Sequence, residues 1–264
     1  SLWLFGRLFS LPSPMCAEDF GLWRSLPRAV VPNAAVPNPP LPMTRTILIT
    51  GSSRGIGRAT ALALVAQGHR VIAASRSGAT VPGCQPLALD LTLPESMTQA
   101  VSSLRAQGEV IDVLINNAGG LVNRPYNMLT REDFMTMAQV NWIGPALWIQ
   151  SLESLFAPGA HIVNISSMGG FQGASKYPGL AAYASSKAAL VGLTECLQAE
   201  WGDRGWTFNA LCLGAVQTEM LAEAFPGYVA PTTPETMGNY LAHFGLTGHE
   251  TYAGAVLPVT KSNP

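Results

Sequence analysis

The sequence predicts an α/β protein, a doubly wound parallel sheet in one domain. Short β-branched runs alternate with helical stretches from Thr46 onward, and the connections between them are short. Runs at 47–49, 113–115 and 162–163 are apolar without alternation. Strand–helix alternation implies βαβ units with right-handed crossovers, which give a parallel sheet covered on both faces. A strand covered on both faces has no need of a polar side.

The elements follow in order. TILIT (46–50) reads as a buried strand, and GIGRATALALVAQG (55–68) as a helix stopped by Gly68. RVIAAS (70–75) is the second strand and PLALDLT (86–92) the third. The helix at 94–108 has Pro94 in its first turn, where the missing N–H costs nothing, and Gly108 at its end. IDVLINNAG (111–119) is a fourth strand running into a loop. A long helical stretch, 131–156, is expected to bend near Gly144-Pro145. HIVNISS (161–167) is the fifth strand, 181–202 a strong helix, and WTFNALCLG (206–214) the sixth strand. A looser segment, a helix near 235–245 and a last strand at 255–259 complete the chain.

Composition narrows the class. Apolar residues make up 48% of the 264, enough for a large core, and the formal net charge is −1. That balance favours neither nucleic acid nor an anionic membrane as partner. Cys16, Cys84, Cys196 and Cys212 form no C-x-x-C pair, which argues against a metal site or a disulfide framework. Free thiols in a reducing compartment fit, and the expected location is cytoplasmic. Residues 1–42 differ in character. Six prolines fall between Pro27 and Pro42, and the apolar start is too short and interrupted to span a bilayer. They read as a disordered Pro-rich extension, with Met43 a candidate native start and a targeting or anchoring segment the alternative. The ordered domain is placed at 43–264.

Three stretches carry chemistry. TGSSRGIG (50–57) lies between the first strand and the first helix. Gly51 suits the tight turn, Gly55 lets backbone approach a pyrophosphate, and Gly57 suits close helix packing, while Ser53, Arg54 and Ile56 share the loop. The helix N-terminus beyond offers N–H groups to phosphate. The end of the second strand selects the cofactor: an acid there bonds ribose hydroxyls, whereas its replacement by arginine favours a 2′-phosphate. Ser75 and Arg76 hold that place, and Arg54 can reach the same phosphate, so NADP(H) is expected over NAD(H). Asp90 and Leu91 fall near the expected adenine pocket, with a turn cap the plain alternative for Asp90. Asn116 and Asn117 suit bonds to loop backbone, and Ala118-Gly119 let a flat ring approach. Tyr183 and Lys187 are four apart on one helix and share a face. An ammonium beside a phenol lowers its pKa, as a general acid/base near neutrality requires. Tyr177 precedes Pro178 in a loop and has no such partner.

From Met43 the chain resembles the classical short-chain dehydrogenases/reductases, whose domain is Rossmann-type. TGSSRGIG, NNAG, Asn141 in QVNWIG, IVNISS, YASSK and NALCLGAVQT occur in the family's order across most of 44–218. The resemblance implies a Ser–Tyr–Lys site with Asn support. Ser167 bonds the substrate carbonyl, Tyr183 donates the proton, Lys187 tunes the phenol and holds ribose hydroxyls, and Asn141 supports a water-linked relay. It also implies that Gly214 and Val216 border the nicotinamide and that Thr218 bonds its carboxamide. There are departures: the interval between Ser167 and Tyr183 is longer than usual, and Leu213 replaces the usual proline before Gly214. The glycine pair often seen after the last strand is missing too. The function implied is NADPH-dependent interconversion of a ketone or aldehyde with an alcohol, nearest to 3-oxoacyl-thioester and carbonyl reductases. Alcohol oxidation with the same residues and a non-catalytic cofactor-binding protein are the alternatives. Partners expected are a small carbonyl or alcohol and a second copy of the chain, as homodimer or homotetramer. Tyr126, Phe171, Tyr177, Phe225 and Tyr228 suggest an apolar pocket, and Met135, Trp142 and Trp148 fit either a pairing face or the core.

Overall fold

The computed structural model describes residues 44–261, which fall within one compact unit. The reading of residues 1–42, Cys16 included, lies outside the described residues. The sheet has seven parallel strands in the order β3-β2-β1-β4-β5-β6-β7. They are β1 (Thr46–Thr50), β2 (Arg70–Ser75), β3 (Gln85–Ala88), β4 (Ile111–Asn116), β5 (Phe156–Ser167), β6 (Thr207–Leu213) and β7 (Val256–Val259). This is the doubly wound α/β fold that the alternation predicts.

The unbroken apolar runs have a direct cause. Successive strand residues face opposite sides of the sheet. Leu48, Ile72, Leu114 and Ile162 enter one core; Ile47, Ile49, Val71, Val113 and Ile115 enter the other. On the second face lie α1 (Gly55–Ala66) and, later in the chain, α7 (Pro234–Thr247), which pack on each other. The first face carries α2 (Pro94–Ala106), α4 (Gly144–Ser151) and α5 (Ala181–Trp201). Trp148 is wholly buried in the first core. Met135 and Trp142 are exposed, so the three residues do not share one role.

The long helical stretch is three pieces: α3 (Arg131–Ala138), a π-helical turn (Gln139–Ile143) and α4. Pro145 has no N–H, so the ordinary helical bond to the carbonyl of Asn141 cannot form. The turn widens, and the Gly144 N–H donates to the Gln139 carbonyl. The chain then reaches β5 earlier than the apolar run suggests, because Phe156 already pairs with Ile111. β3 is shorter than expected because Asp90 turns the chain, its Oδ1 accepting from the N–H and hydroxyl of Thr92. A helix unseen in the loose segment, α6 (Glu219–Ala224), starts at Thr218, whose hydroxyl accepts the Leu221 N–H at 3.2 Å.

The amino end of the sheet holds a buried titratable group. His161 on β5 is completely buried; its Nδ1 lies 2.9 Å from the Gly245 carbonyl and its Nε2 3.0 Å from Asn209 Nδ2. The carbonyl requires a proton on Nδ1, and the amide N–H requires a bare Nε2, so the ring is held neutral. Burial, with Arg45 and His249 adding repulsion against the Gly245 bond, brings its pKa down to about 4. A depressed histidine stabilises the fold above its unfolded value, near 6.5, and loses that contribution as pH falls through the folded one. We expect about 3 kcal/mol of stability to be lost between pH 6.5 and 4 through this residue. His161→Gln should flatten that part of the curve of urea midpoint against pH.

Candidate active site

Strand order reverses between β1 and β4, and the crevice beyond their carboxyl ends is where an open α/β sheet binds ligands. The loops meeting there are clamped. The Thr50 hydroxyl accepts the N–H groups of Asn117 (3.1 Å) and Ala118 (3.0 Å). Asn117 Nδ2 donates to the carbonyls of Thr50 (3.0 Å) and Gly51 (3.1 Å). Ser52, buried beneath, donates from its backbone and its hydroxyl to the Ala74 carbonyl. The glycine loop, β2 and the NNAG loop thus hold one another.

The glycines fit this role for steric reasons. Gly51 has φ +69°, and a Cβ there would lie 2.7 Å from Ala118 Cα. A Cβ at Gly57 would lie 2.4 Å from Asn117 Nδ2 and from the Gly51 carbonyl oxygen, so Gly57 serves loop packing as well as the helix. Helix α1 begins with no side-chain cap and no acid in its own first turn. Its leading N–H groups, around Gly55, Ile56 and Gly57, are therefore open to an outside anion, and the residues present fit a dinucleotide's phosphates. Ser53, Arg54 and Arg76 are exposed, while Ser75 is buried and accepts the Ala79 N–H. The two arginines turn to different acids: Arg54 to Glu223 at 3.6 Å, Arg76 to the vicinity of Asp90. Asp90 is a turn former; burial pushes its carboxyl up, but Thr92 and Arg76 together hold it below its ordinary value. Leu91 is in the core, and its carbonyl packs against Gly144, where a Cβ would lie 2.6 Å from it.

The four residues assigned by resemblance lie around the ends of β4 and β5. Ser167 ends β5, and its Oγ accepts the Gly169 N–H at 3.1 Å. Its hydroxyl lies near enough to the Tyr183 phenol to lower the phenol's pKa. Lys187, one turn further along α5, is buried, and its Nζ donates to the Ile165 carbonyl at 2.8 Å. Asn141, in the π-helical turn, is fully buried; its Oδ1 accepts the Gly120 N–H, and its Nδ2 donates to the Gly120 carbonyl and the Ser186 hydroxyl. Gly119 sits between them, since a Cβ there would be 2.9 Å from Asn141 Oδ1 and 3.3 Å from Lys187 Nζ.

The electrostatics correct one expectation. Burial pushes the Tyr183 phenol up, against a lowering bond from Ser167, and Lys187 is not among the causes. The ammonium points to the Ile165 carbonyl. Lys187 itself is brought down to about 8 by burial.

Around this centre, Gly214 abuts Thr260, Val216 is buried and bridges to Thr232, and the Thr218 hydroxyl caps α6. Tyr126, Tyr177 and Tyr228 are exposed; Phe171 and Phe225 are half-buried. Sequence reasoning passed over Thr50 and Ser52, which look like ordinary strand-end residues. It also passed over Asn123, whose Nδ2 donates to the Ala224 carbonyl while its neighbour's N–H donates to Gly179. Among the described residues no cluster of His, Cys, Asp or Glu is arranged to hold a metal ion, and no helix is long and apolar enough to cross a membrane.

Residues 45–228 match the family model of the short chain dehydrogenases. The chain is similar to acetoacetyl-CoA reductase of Shinella zoogloeoides, 33% identical over 191 residues, covering 68% of this chain and 77% of that protein. It is similar to 3-oxoacyl-[acyl-carrier-protein] reductase of Synechocystis, 31% identical, covering 66% and 74%. In fold it is similar to the 3-ketoacyl-(acyl-carrier-protein) reductase of Brucella melitensis complexed with NADH, with TM-score 0.72 and 22% identity, covering 83% of this chain and 98% of that one.

Asn117→Ala removes two bonds and leaves two loop carbonyls without their donor. It should cost about 1–3 kcal/mol, read by urea denaturation, and hydrogen exchange should quicken at residues 51–57.

Proposed function

The chain belongs to the short-chain dehydrogenase/reductase family, and from that premise we propose that it is an NADPH-dependent reductase of ketones or aldehydes, 3-oxoacyl thioesters foremost among them. It is an NAD(P)-dependent oxidoreductase acting on CH–OH or C=O groups. The observation carrying the finer reading is the meeting of the Ser167 and Tyr183 hydroxyls, with Lys187 buried one turn away. Ser167 and Tyr183 together bond the substrate carbonyl oxygen and stabilise the negative charge that grows on it. Tyr183, with its pKa raised, keeps its proton across the neutral range and is positioned to donate it. Lys187 holds ribose hydroxyls, its ammonium anchored at the Ile165 carbonyl. Asn141 fixes the Gly119-Gly120 backbone and Ser186, and so keeps Lys187 in place. The nicotinamide supplies the hydride when bound.

Arg54 and Arg76 support NADPH over NADH, since no acid stands at the end of β2 to bond ribose hydroxyls. The relatives' names support a thioester substrate, and the exposed aromatics of the loops support an apolar acyl chain. A homodimer or homotetramer pairs the α3–α4 face, where Phe134, Met135, Trp142 and Leu147 are exposed. Among the described residues the cysteines Cys84, Cys196 and Cys212 are free thiols, which supports a cytoplasmic site of action.

NADPH oxidation with a panel of ketones, aldehydes and 3-oxoacyl thioesters tests this. Tyr183→Phe should lower kcat about 10²- to 10⁴-fold, and turnover undiminished in that variant would refute the assignment. The charge on Lys187 is lost as pH rises through about 8. The kcat/KM for reduction should therefore fall above that pH, and Lys187→Arg should remove the break.

A further inference from the structure

We propose that Glu219 and Glu223 of α6 stand in for the cofactor's phosphates in the free protein, forming a latch that the bound dinucleotide must displace. The inference rests on the reading that the glycine loop takes those phosphates. The two acids are four apart, so they share one face of the short helix. That face meets the phosphate-binding loop. A Cβ at Gly55 would lie 3.6 Å from Glu219 Oε2 and 3.4 Å from Thr218 Cγ2. A carboxylate thus stands beside the first residue of α1, whose leading N–H groups have no cap of their own. The second acid takes Arg54, the residue assigned to a 2′-phosphate, at 3.6 Å. Two negative groups lie where two negative groups of the ligand are expected.

The α6 segment is fastened at its base. Its base is clipped: Val216 bridges to Thr232, the Gln217 N–H donates to the Thr232 carbonyl, and Gln217 Oε1 accepts the Ala230 N–H at 2.7 Å. Its body meets its surroundings through the exposed Arg54–Glu223 pair, the nearness of Glu219 to Gly55 and the bond from Asn123 to the Ala224 carbonyl. The cleft between this body, α1 and α7 measures about 880 Å³ and is lined by Arg54, Gly55, Thr218 and Glu219 among others. Both acids are exposed, so each contact is weak and each is worth no more than a few-fold in affinity. A latch of that strength yields to the cofactor and still sets its apparent affinity, because the free state must give up the contacts first.

The test compares the wild-type protein with E219Q/E223Q and with E235Q. The last removes a charge from the same cleft without touching a latch contact. NADPH binding is titrated by fluorescence at low salt, and hydrogen exchange across residues 217–230 is followed without ligand. The double variant should bind NADPH about ten-fold tighter and exchange faster in that segment, while E235Q changes affinity less than two-fold. Unchanged or weaker binding in the double variant overturns the proposal. So does tighter binding with unchanged exchange, or an equal gain in E235Q, since either reports overall charge. If the wild-type protein binds neither NADPH nor NADH, the functional reading falls and this assignment of the phosphates with it. Unchanged exchange in the double variant would instead reject the latch alone and leave the functional reading standing.

Discussion

The seam between β1 and β4 is the constraint on which the rest depends. Sequence neighbours diverge there, because the chain leaves β1 for β2 on one side and returns to β4 on the other. No crossover helix closes the gap beyond the strand ends, so a crevice is unavoidable. The Thr50 hydroxyl and the Asn117 amide hold the two lips of that crevice together through four hydrogen bonds. Once the lips are held, the glycine loop has one available path, and Gly51 and Gly57 are the residues that a side chain would expel from it. The geometry of the glycine loop therefore depends on a polar clamp formed by Thr50 and Asn117.

The second constraint is the buried ammonium of Lys187. A cation in the interior requires partners, and its neighbourhood supplies the Ile165 carbonyl and a nearby asparagine and glycine. Burial works on Tyr183 and Lys187 of α5 in opposite senses, raising the phenol and lowering the ammonium. Each is pushed toward its neutral form, and the two ranges move apart, the ammonium falling to about 8 while the phenol rises above its ordinary value.

Much of this was legible in the sequence because the signals were periodic or chemically specific. Apolar runs placed all seven strands, and the four-residue spacing of Tyr183 and Lys187 put both on one helical face. The misses share a cause: they depend on partners distant in the chain. Thr50 is one more strand threonine until Asn117 arrives 67 positions later. The π-helical turn follows from Pro145, but its function of burying Asn141 against Gly120 is a tertiary matter. Helix α6 is short and carries little apolar patterning, so only its Thr218 cap announced it. The expectation that Lys187 lowers the phenol's pKa failed because spacing places two residues on one face without stating which acceptor the ammonium prefers.

The register of α5 is fixed by a polar ladder inside the core. Asn116 Nδ2 donates to Asn164 Oδ1, Asn164 Nδ2 to the Thr194 hydroxyl, and that hydroxyl to the Leu190 carbonyl. Nearer the site, the Ser166 hydroxyl donates to the Lys187 carbonyl. Apolar contacts alone tolerate a helix that slides or rotates slightly against a sheet, since one aliphatic neighbour replaces another at little cost. A buried hydrogen bond does not, because a shift leaves a donor or acceptor without a partner in a medium that cannot replace it. Two such contacts, at Thr194 and at the Lys187 carbonyl, lie along one helix and hold it both along its axis and about it. Tyr183 and Lys187 are side chains of that same rigid body, so their placement relative to Ser167 on β5 is settled by groups buried behind them. The ladder explains why α5 carries asparagine and threonine partners where leucine would pack as well.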